Sequence, residues 1–467
     1  MKNSSYLGLQ IRAIKYFFKF EPLGTNYPTE ILAGVTTFIT LAYTLVVTPT
    51  ILSHAIFLSQ PGDLFPQLVF ATAIVSSIST ALMACLANYP FALAPGMGLN
   101  SLFAFSIVLD LKLDWRLALA AVLIQGLLFI ILSLSKFRDR LIEAIPLSLK
   151  HATVAGIGLF IAYIAVSANP EPPILGAGLI VSSPTTKTTL GSFTNPVTLT
   201  ALFGLILTIA LVVRRLKGGM LWGILSTALL GWILGIAHWP QAIIALPNLP
   251  VDLFAQALTG FKYFTPKQIP IFIAAVLILL FVTLFDSIGA IIGLGQQAAI
   301  VNQDGELPRS GRTIFALAVG TMVASLMGIS PVAPYLESAA GISEGGRSGF
   351  SSLVVAILLL LSTLFIPLLS AVPTFATAPV LILVGVLMFA GSVRAINWDD
   401  MADAISAFLV ILMMPITFSL PDGLAIGFIS YPLIKVFQGK AQQLNLPLVL
   451  ISLFSILYFL LITLQKT

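Results

Sequence analysis

The sequence predicts an all-α polytopic membrane protein of fourteen transmembrane segments, arranged as two inverted seven-segment repeats. Three observations carry this expectation. Hydrophobic residues make up 58% of the 467 residues and charged residues only 9%, against roughly 25% charged in soluble domains. Apolar runs of about 17 to 25 residues, enough to cross some 30 Å of hydrocarbon as a helix, recur from near residue 31 to near residue 464. Two proline- and glycine-interrupted stretches fall at matching places in the two halves.

Residues 1–28 read as a cytoplasmic lead-in. Lys2, Arg12, Lys15 and Lys19 occur without an uncharged apolar region ending in a small-residue cleavage site, so this is not a signal peptide. Spans follow near residues 31–53, 66–88, 96–109, 115–135, 146–168, 196–216 and 219–238. Residues 239–269 connect the halves outside the cytoplasm, and spans resume near 270–297, 313–327, 334–348, 350–372, 377–393, 404–419 and 422–437. The segment 438–467 holds a further apolar stretch, 446–461, which the sequence leaves open as a fifteenth crossing or a segment lying against the bundle.

Charge supports this register. With a cytoplasmic N-terminus, one set of loops collects Lys136, Arg138, Arg140, Lys150, Arg214, Arg215, Lys217, Arg309, Arg312, Arg347, Arg394, Lys435 and Lys440. The opposite loops hold Lys112, Arg116, Lys187, Lys262 and Lys267. That asymmetry is the positive-inside pattern, and it accounts for the net charge of +5 without invoking nucleic acid.

The third and tenth spans are irregular. Pro90 to Asn100 and Ser330 to Gly341 each place two prolines and glycine at membrane depth. Proline removes a backbone donor and bars the preceding residue from the helix, so each stretch is expected to be extended chain leading into a half-helix. Other echoes keep the same order. Val35-Thr36-Thr37-Phe38 matches Val282-Thr283-Leu284-Phe285, and Gly219 to Ser226 matches Gly423 to Ser430. A unit of seven spans repeated once is inverted, and paired interrupted segments in inverted repeats point to a secondary transporter with a midplane site.

Three side chains are expected to converge there. Asp286 lies mid-span, where an unpaired charge costs at least about 2.5–3.5 kcal/mol. Glu337 follows the Pro331/Pro334 break at the start of a half-helix, where free N–H groups favour a carboxylate. Asn100 follows the other break. Two carboxylates and an amide suit an uncharged planar heterocycle presenting N–H and C=O groups. Thr36, Thr37 and Thr283 are candidates for hydroxyl contacts.

Other features carry less. Gly341 to Gly349 lacks the Gly-Lys-Ser/Thr ending of a phosphate loop. Asp399, Asp400 and Asp403 read as a solvated cytoplasmic turn. His54, His151 and His238 are too dispersed for a metal site, and the single Cys85 offers no intrachain disulfide.

The stretches Phe91-Ala-Leu-Ala-Pro-Gly-Met-Gly-Leu-Asn100, Thr283-Leu-Phe-Asp-Ser-Ile-Gly289, Ser330-Pro-Val-Ala-Pro-Tyr-Leu-Glu-Ser-Ala-Ala-Gly341 and Ala376-Thr-Ala-Pro-Val-Leu-Ile-Leu-Val-Gly385 closely resemble the AzgA-like purine permeases of the nucleobase–cation symporter 2 (xanthine/uracil permease) family. The likeness runs from about residue 20 to 440. It implies a core domain (29–135 and 270–372), a gate domain (146–238 and 377–437), and proton-coupled import of adenine, guanine or hypoxanthine by alternating access. It also implies substrate contacts at Gly98, Asn100, Asp286 and Glu337, with Tyr335, Leu336 and Ser338 lining the same turn. Asp286 and Glu337 are its proton-coupling candidates. Thr283 stands where several purine permeases carry a second acid, so substrate choice or stoichiometry is expected to differ.

The expected partners are therefore a purine nucleobase, a proton and the lipid bilayer, in the plasma or inner membrane, with no cofactor beyond the proton gradient and no enzymatic activity. A homodimer is left open. An anion carrier of the same fold is the rival, though no Arg or Lys lies between Ser330 and Ser343. An intramembrane enzyme is the more distant alternative.

Overall fold

The computed structural model describes residues 13–134, 146–170, 173–174, 177–183, 187–247, 249–300 and 307–466. The basic residues Lys2, Arg12, Lys136, Arg138 and Arg140 lie outside the described residues.

Helix starts follow from local chemistry. The first long helix, α1 (Tyr27–Leu41), begins where Asn26 accepts from the Thr29 N–H at 3.0 Å and Pro28 sits in the first turn. A proline there gives up no hydrogen bond. A two-residue turn at Ala42 and Tyr43 separates α1 from α2 (Thr44–Leu52). Then come α3 (Phe65–Leu82), strand β1 (Leu93–Pro95), α4 (Met97–Ser101, running on as a wider helix through Asp110) and α5 (Trp115–Leu134). The first half closes with α6 (Leu147–Val166), α7 (Pro196–Val213, capped by Asn195) and α8 (Gly219–Ile233).

Between α6 and α7 lies a small sheet that the apolar pattern did not suggest. Strands β2 (Ser167–Pro170), β3 (Pro173–Ile174), β4 (Ile180–Ser183) and β5 (Lys187–Leu190) are ordered β3-β2-β4-β5. The second half holds α9 (Ile269–Gln297), α10 (Ser310–Leu326), strand β6 (Val332–Pro334), α11 (Ser338–Ser343) and α12 (Gly349–Leu361). It ends with α13 (Thr374–Val393), α14 (Met401–Thr417), α15 (Leu420–Phe437) and α16 (Leu446–Lys466). Eight helices among the described residues are long and apolar enough to cross a membrane, and six shorter apolar helices accompany them. The expected tenth span, 334–348, is mostly not helix: extended chain reaches Pro334, and the helix that follows runs from Ser338 to Ser343. The C-terminal helix α16 packs on α15.

The helices pack in two groups. In one, α12 lies on α1 and α3, α10 on α3 and α5, α9 on α5, and α11 on α1. In the other, α6 lies on α13 and α14, α7 on α8 and α13, and α14 on α15. The α6/α13 crossing is close because both helices present glycine: a Cβ on Gly158 would stand 2.7 Å from the Gly385 carbonyl oxygen. Small residues let backbones approach where no hydrophobic effect drives helices together.

The Asp399/Asp400/Asp403 turn is not simply a solvated face. Asp400 accepts from Lys435 Nζ at 2.9 Å, and the Lys435 side chain is only 6% exposed. Asp399 alone of the three is fully exposed.

Candidate functional site

The two interrupted stretches meet. Strands β1 and β6 pair antiparallel, with Leu93 opposite Pro334, Ala94 opposite Ala333 and Pro95 opposite Val332. Each strand's outer edge would leave polar backbone groups at membrane depth, which is tolerated only where protein satisfies them. Two threonines do so. Thr80 Oγ1 donates to the Leu93 carbonyl and accepts from the Leu93 N–H, both at 2.9 Å. Thr321 Oγ1 accepts from the Val332 N–H at 3.3 Å. The ladder is extended by Tyr335 N–H donating to the Ala92 carbonyl at 3.0 Å and Gly96 N–H to the Pro331 carbonyl at 3.2 Å.

Around this crossing the candidate residues fall into three kinds. Asn100, Ser338 and Tyr335 are fastened to the scaffold. Asn100 is fully buried; its amide donates to Thr48 Oγ1 at 3.0 Å and its oxygen accepts from the Ser330 hydroxyl, joining spans one, three and ten. Ser338 Oγ accepts from the Ala92 N–H at 2.9 Å, and the Tyr335 hydroxyl donates to the Pro95 carbonyl at 2.7 Å. Gly98, Leu336 and Thr283 are the second kind, with no side-chain hydrogen bond to the scaffold. A Cβ on Gly98 would meet Ile157 Cγ2 of α6 at 2.7 Å, so the α4 half-helix abuts the second helix group. Leu336 is 58% exposed, whereas Thr283 is fully buried with its hydroxyl unpaired.

The carboxylates form the third kind. Glu337 caps α11 by position only, since its side chain bonds no helix N–H. Instead the Tyr43 hydroxyl donates to Glu337 Oε1 at 2.5 Å. Asp286 is half-buried on α9. Tyr335 lies within electrostatic reach of both acids, and α9, which carries Asp286, packs against β6 and α11 on either side of Glu337. Thr36 and Thr37 are buried on α1, with Thr37 against Gly341 of α11.

One buried acid beyond the crossing carries no signal in the sequence pattern. Glu30, fully buried, accepts from Thr25 Oγ1 at 2.8 Å and from the backbone N–H groups of Arg347 (3.0 Å), Ser348 (3.1 Å) and Ser351 (3.1 Å). It caps α12 from the start of α1. Its position at the end of the amphipathic lead-in gave no sequence signal, because its partners lie more than 300 residues away.

A helical bundle whose two interrupted segments cross beside half-buried carboxylates defines a membrane carrier. Residues 28–464 match the model of the xanthine/uracil permeases, described as a permease family. The chain belongs to that family, the nucleobase–cation symporter 2 family, and is a transporter rather than an enzyme. It is 40% identical over 455 residues to the guanine/hypoxanthine permease PbuG of Bacillus subtilis, covering 96% of this chain and 99% of that protein. It is 33% identical over 441 residues to the adenine permease AdeP of Escherichia coli, covering 94% of each. Among solved structures, the transmembrane domain of the cyanobacterial bicarbonate transporter BicA superposes with a TM-score of 0.60 at 17% identity, covering 86% of this chain and 97% of that one. SLC26A9 gives 0.58 at 13% identity, covering 94% and 70%. These likenesses concern the fold alone.

Proposed function

We propose that the chain imports purine nucleobases, among adenine, guanine and hypoxanthine, by symport with protons across the plasma or inner membrane. The observation that carries this reading is the pair of acceptors at the crossing: Glu337, with one oxygen engaged by Tyr43, and Asp286, on the facing helix. A purine base offers N–H donors in one plane, and carboxylates are acceptor-only groups that match them. Protonation of one carboxylate neutralises a charge that is costly at this depth, which links uptake to the proton gradient without a cofactor. Asn100, Tyr335 and Ser338 hold the turn that carries Glu337, and Gly98, Leu336 and Thr283 bound the space for the ring. The purine permeases PbuG and AdeP support the substrate class.

In this reading the chain crosses the membrane fourteen times from a cytoplasmic N-terminus. The group 29–135 with 270–372 is the moving core, and 146–238 with 377–437 is the gate against which it shifts. The separate packing of the two helix groups supports the division. Purified Glu337→Gln protein in liposomes is expected to lose proton-driven purine accumulation. Retention of the wild-type rate would overturn the assignment. Asp286→Asn is expected to bind purine yet lose proton coupling.

A further inference from the structure

Span one is irregular beside the site, although Ala42 and Tyr43 keep right-handed helical dihedrals. Helix α1 stops at Leu41, α2 starts at Thr44, and the turn between them carries Tyr43, 1% exposed. The turn reaches the Glu337 side chain through Tyr43, and Thr40 in the last turn of α1, bonded chiefly to the Thr36 and Thr37 carbonyls, lies beside the Glu337 backbone. Thr40 Oγ1 lies 3.3 Å from the Glu337 carbonyl oxygen, and the Tyr43 hydroxyl stands 2.5 Å from Glu337 Oε1. In the second contact the phenol O–H donates and the carboxyl oxygen accepts. Glutamate is otherwise one of the freest side chains, and an acceptor that must be immobilised on binding weakens affinity.

We infer that Tyr43 is a positioning residue: by donating to Oε1 it fixes the carboxylate plane and so sets how Glu337 presents its remaining acceptor sites to the base. The inference rests on the reading of Glu337 as a base acceptor. A carboxylate held in one orientation reads one arrangement of N–H groups on the ligand, so Tyr43 sets which nitrogen of the purine must carry a hydrogen. The tyrosine ring fills its pocket whether or not the hydroxyl is present, so the hydroxyl's role is separable from packing.

The test is Tyr43→Phe in proteoliposomes, with radiolabelled hypoxanthine uptake competed by hypoxanthine and by its singly N-methylated analogues. The apparent affinity for hypoxanthine is expected to fall on the order of ten-fold, with maximal rate and thermal midpoint unchanged. Discrimination against the disfavoured N-methyl analogue is expected to narrow, because a freed carboxylate can turn to either oxygen. Thr40→Val, which removes bonds to the Thr36, Thr37 and Glu337 carbonyls but none to the Glu337 carboxylate, is expected to leave discrimination unaltered. An unchanged affinity for Tyr43→Phe, or equal weakening for hypoxanthine and every analogue, would overturn the inference. Wild-type affinity in Glu337→Gln, run alongside, would instead overturn the role of Glu337 itself.

Discussion

Removing the Glu30 carboxylate should unfasten the start of α1 from the start of α12. Its Oε1 accepts from Thr25 Oγ1, Arg347 N and Ser348 N, and its Oε2 from Ser351 N. Glu30→Ala orphans three backbone N–H groups at the buried start of α12 and removes an anion from the positive end of that helix. At about 1–3 kcal/mol for each buried unsatisfied donor, with partial relief from water, the loss comes to about 3–6 kcal/mol. Glu30→Gln keeps one acceptor oxygen but turns an N–H₂ toward N–H donors, and is expected to cost less than the alanine. Thermal unfolding of purified protein in detergent, followed by intrinsic fluorescence, should rank wild type above Glu30→Gln above Glu30→Ala. An alanine variant as stable as wild type, or less harmed than the glutamine, would refute the capping argument.

Three further outcomes are expected. Lys217 and Glu344 form an ion pair at 2.5 Å that joins the turn between α7 and α8 to the end of α11. If the two helix groups shift during transport, joining cysteines at these positions with a short bifunctional thiol reagent, in a Cys85→Ser background, will stop uptake; an unchanged rate after full cross-linking would contradict the movement. In Gly341→Ala the new methyl group would collide with Thr37 Oγ1 and the Ala33 carbonyl of α1. Overpacking of this kind costs about 1–3 kcal/mol, and here it also displaces Glu337, so purine affinity should fall along with the thermal midpoint. The hydrogen bond from Lys435 holds the Asp400 carboxyl well below the usual carboxylate range. A depressed folded-state pKa gives stability that is full above the unfolded value near 4 and is lost as pH falls below it. The stability gap between wild type and Asp400→Asn should therefore be full at pH 7 and shrink below about pH 4.

Sequence and structure agree most where the signal is local. The apolar runs mark the long helices, and the prolines at 90, 95, 331 and 334 mark the two extended stretches, because proline's effect is written in its own ring. Asp286 and Glu337 stand out because charge at membrane depth is costly wherever it occurs. What pattern could not supply is pairing. Tyr43 looks like any apolar-helix tyrosine until it is seen against Glu337, and Glu30 like an ordinary first-turn acid until the chain returns at Arg347. Thr80 and Thr321 acquire their importance only once the strand edges that they cover exist. The β2–β5 sheet lies in a polar connection whose composition carries no alternation strong enough to announce it. The tenth span breaks where its prolines place the break: the chain is extended over Val332–Pro334, paired with β1, and the short helix Ser338–Ser343 follows.

The central claim is that the crossing of the two half-helices holds a purine base between carboxylates. It is tested most directly by uptake of radiolabelled hypoxanthine into proteoliposomes, with and without an inward proton gradient and with a protonophore. The account predicts saturable uptake that the gradient stimulates, the protonophore abolishes and excess guanine or adenine competes, while bicarbonate has no effect. Bicarbonate transport without any purine uptake would contradict it.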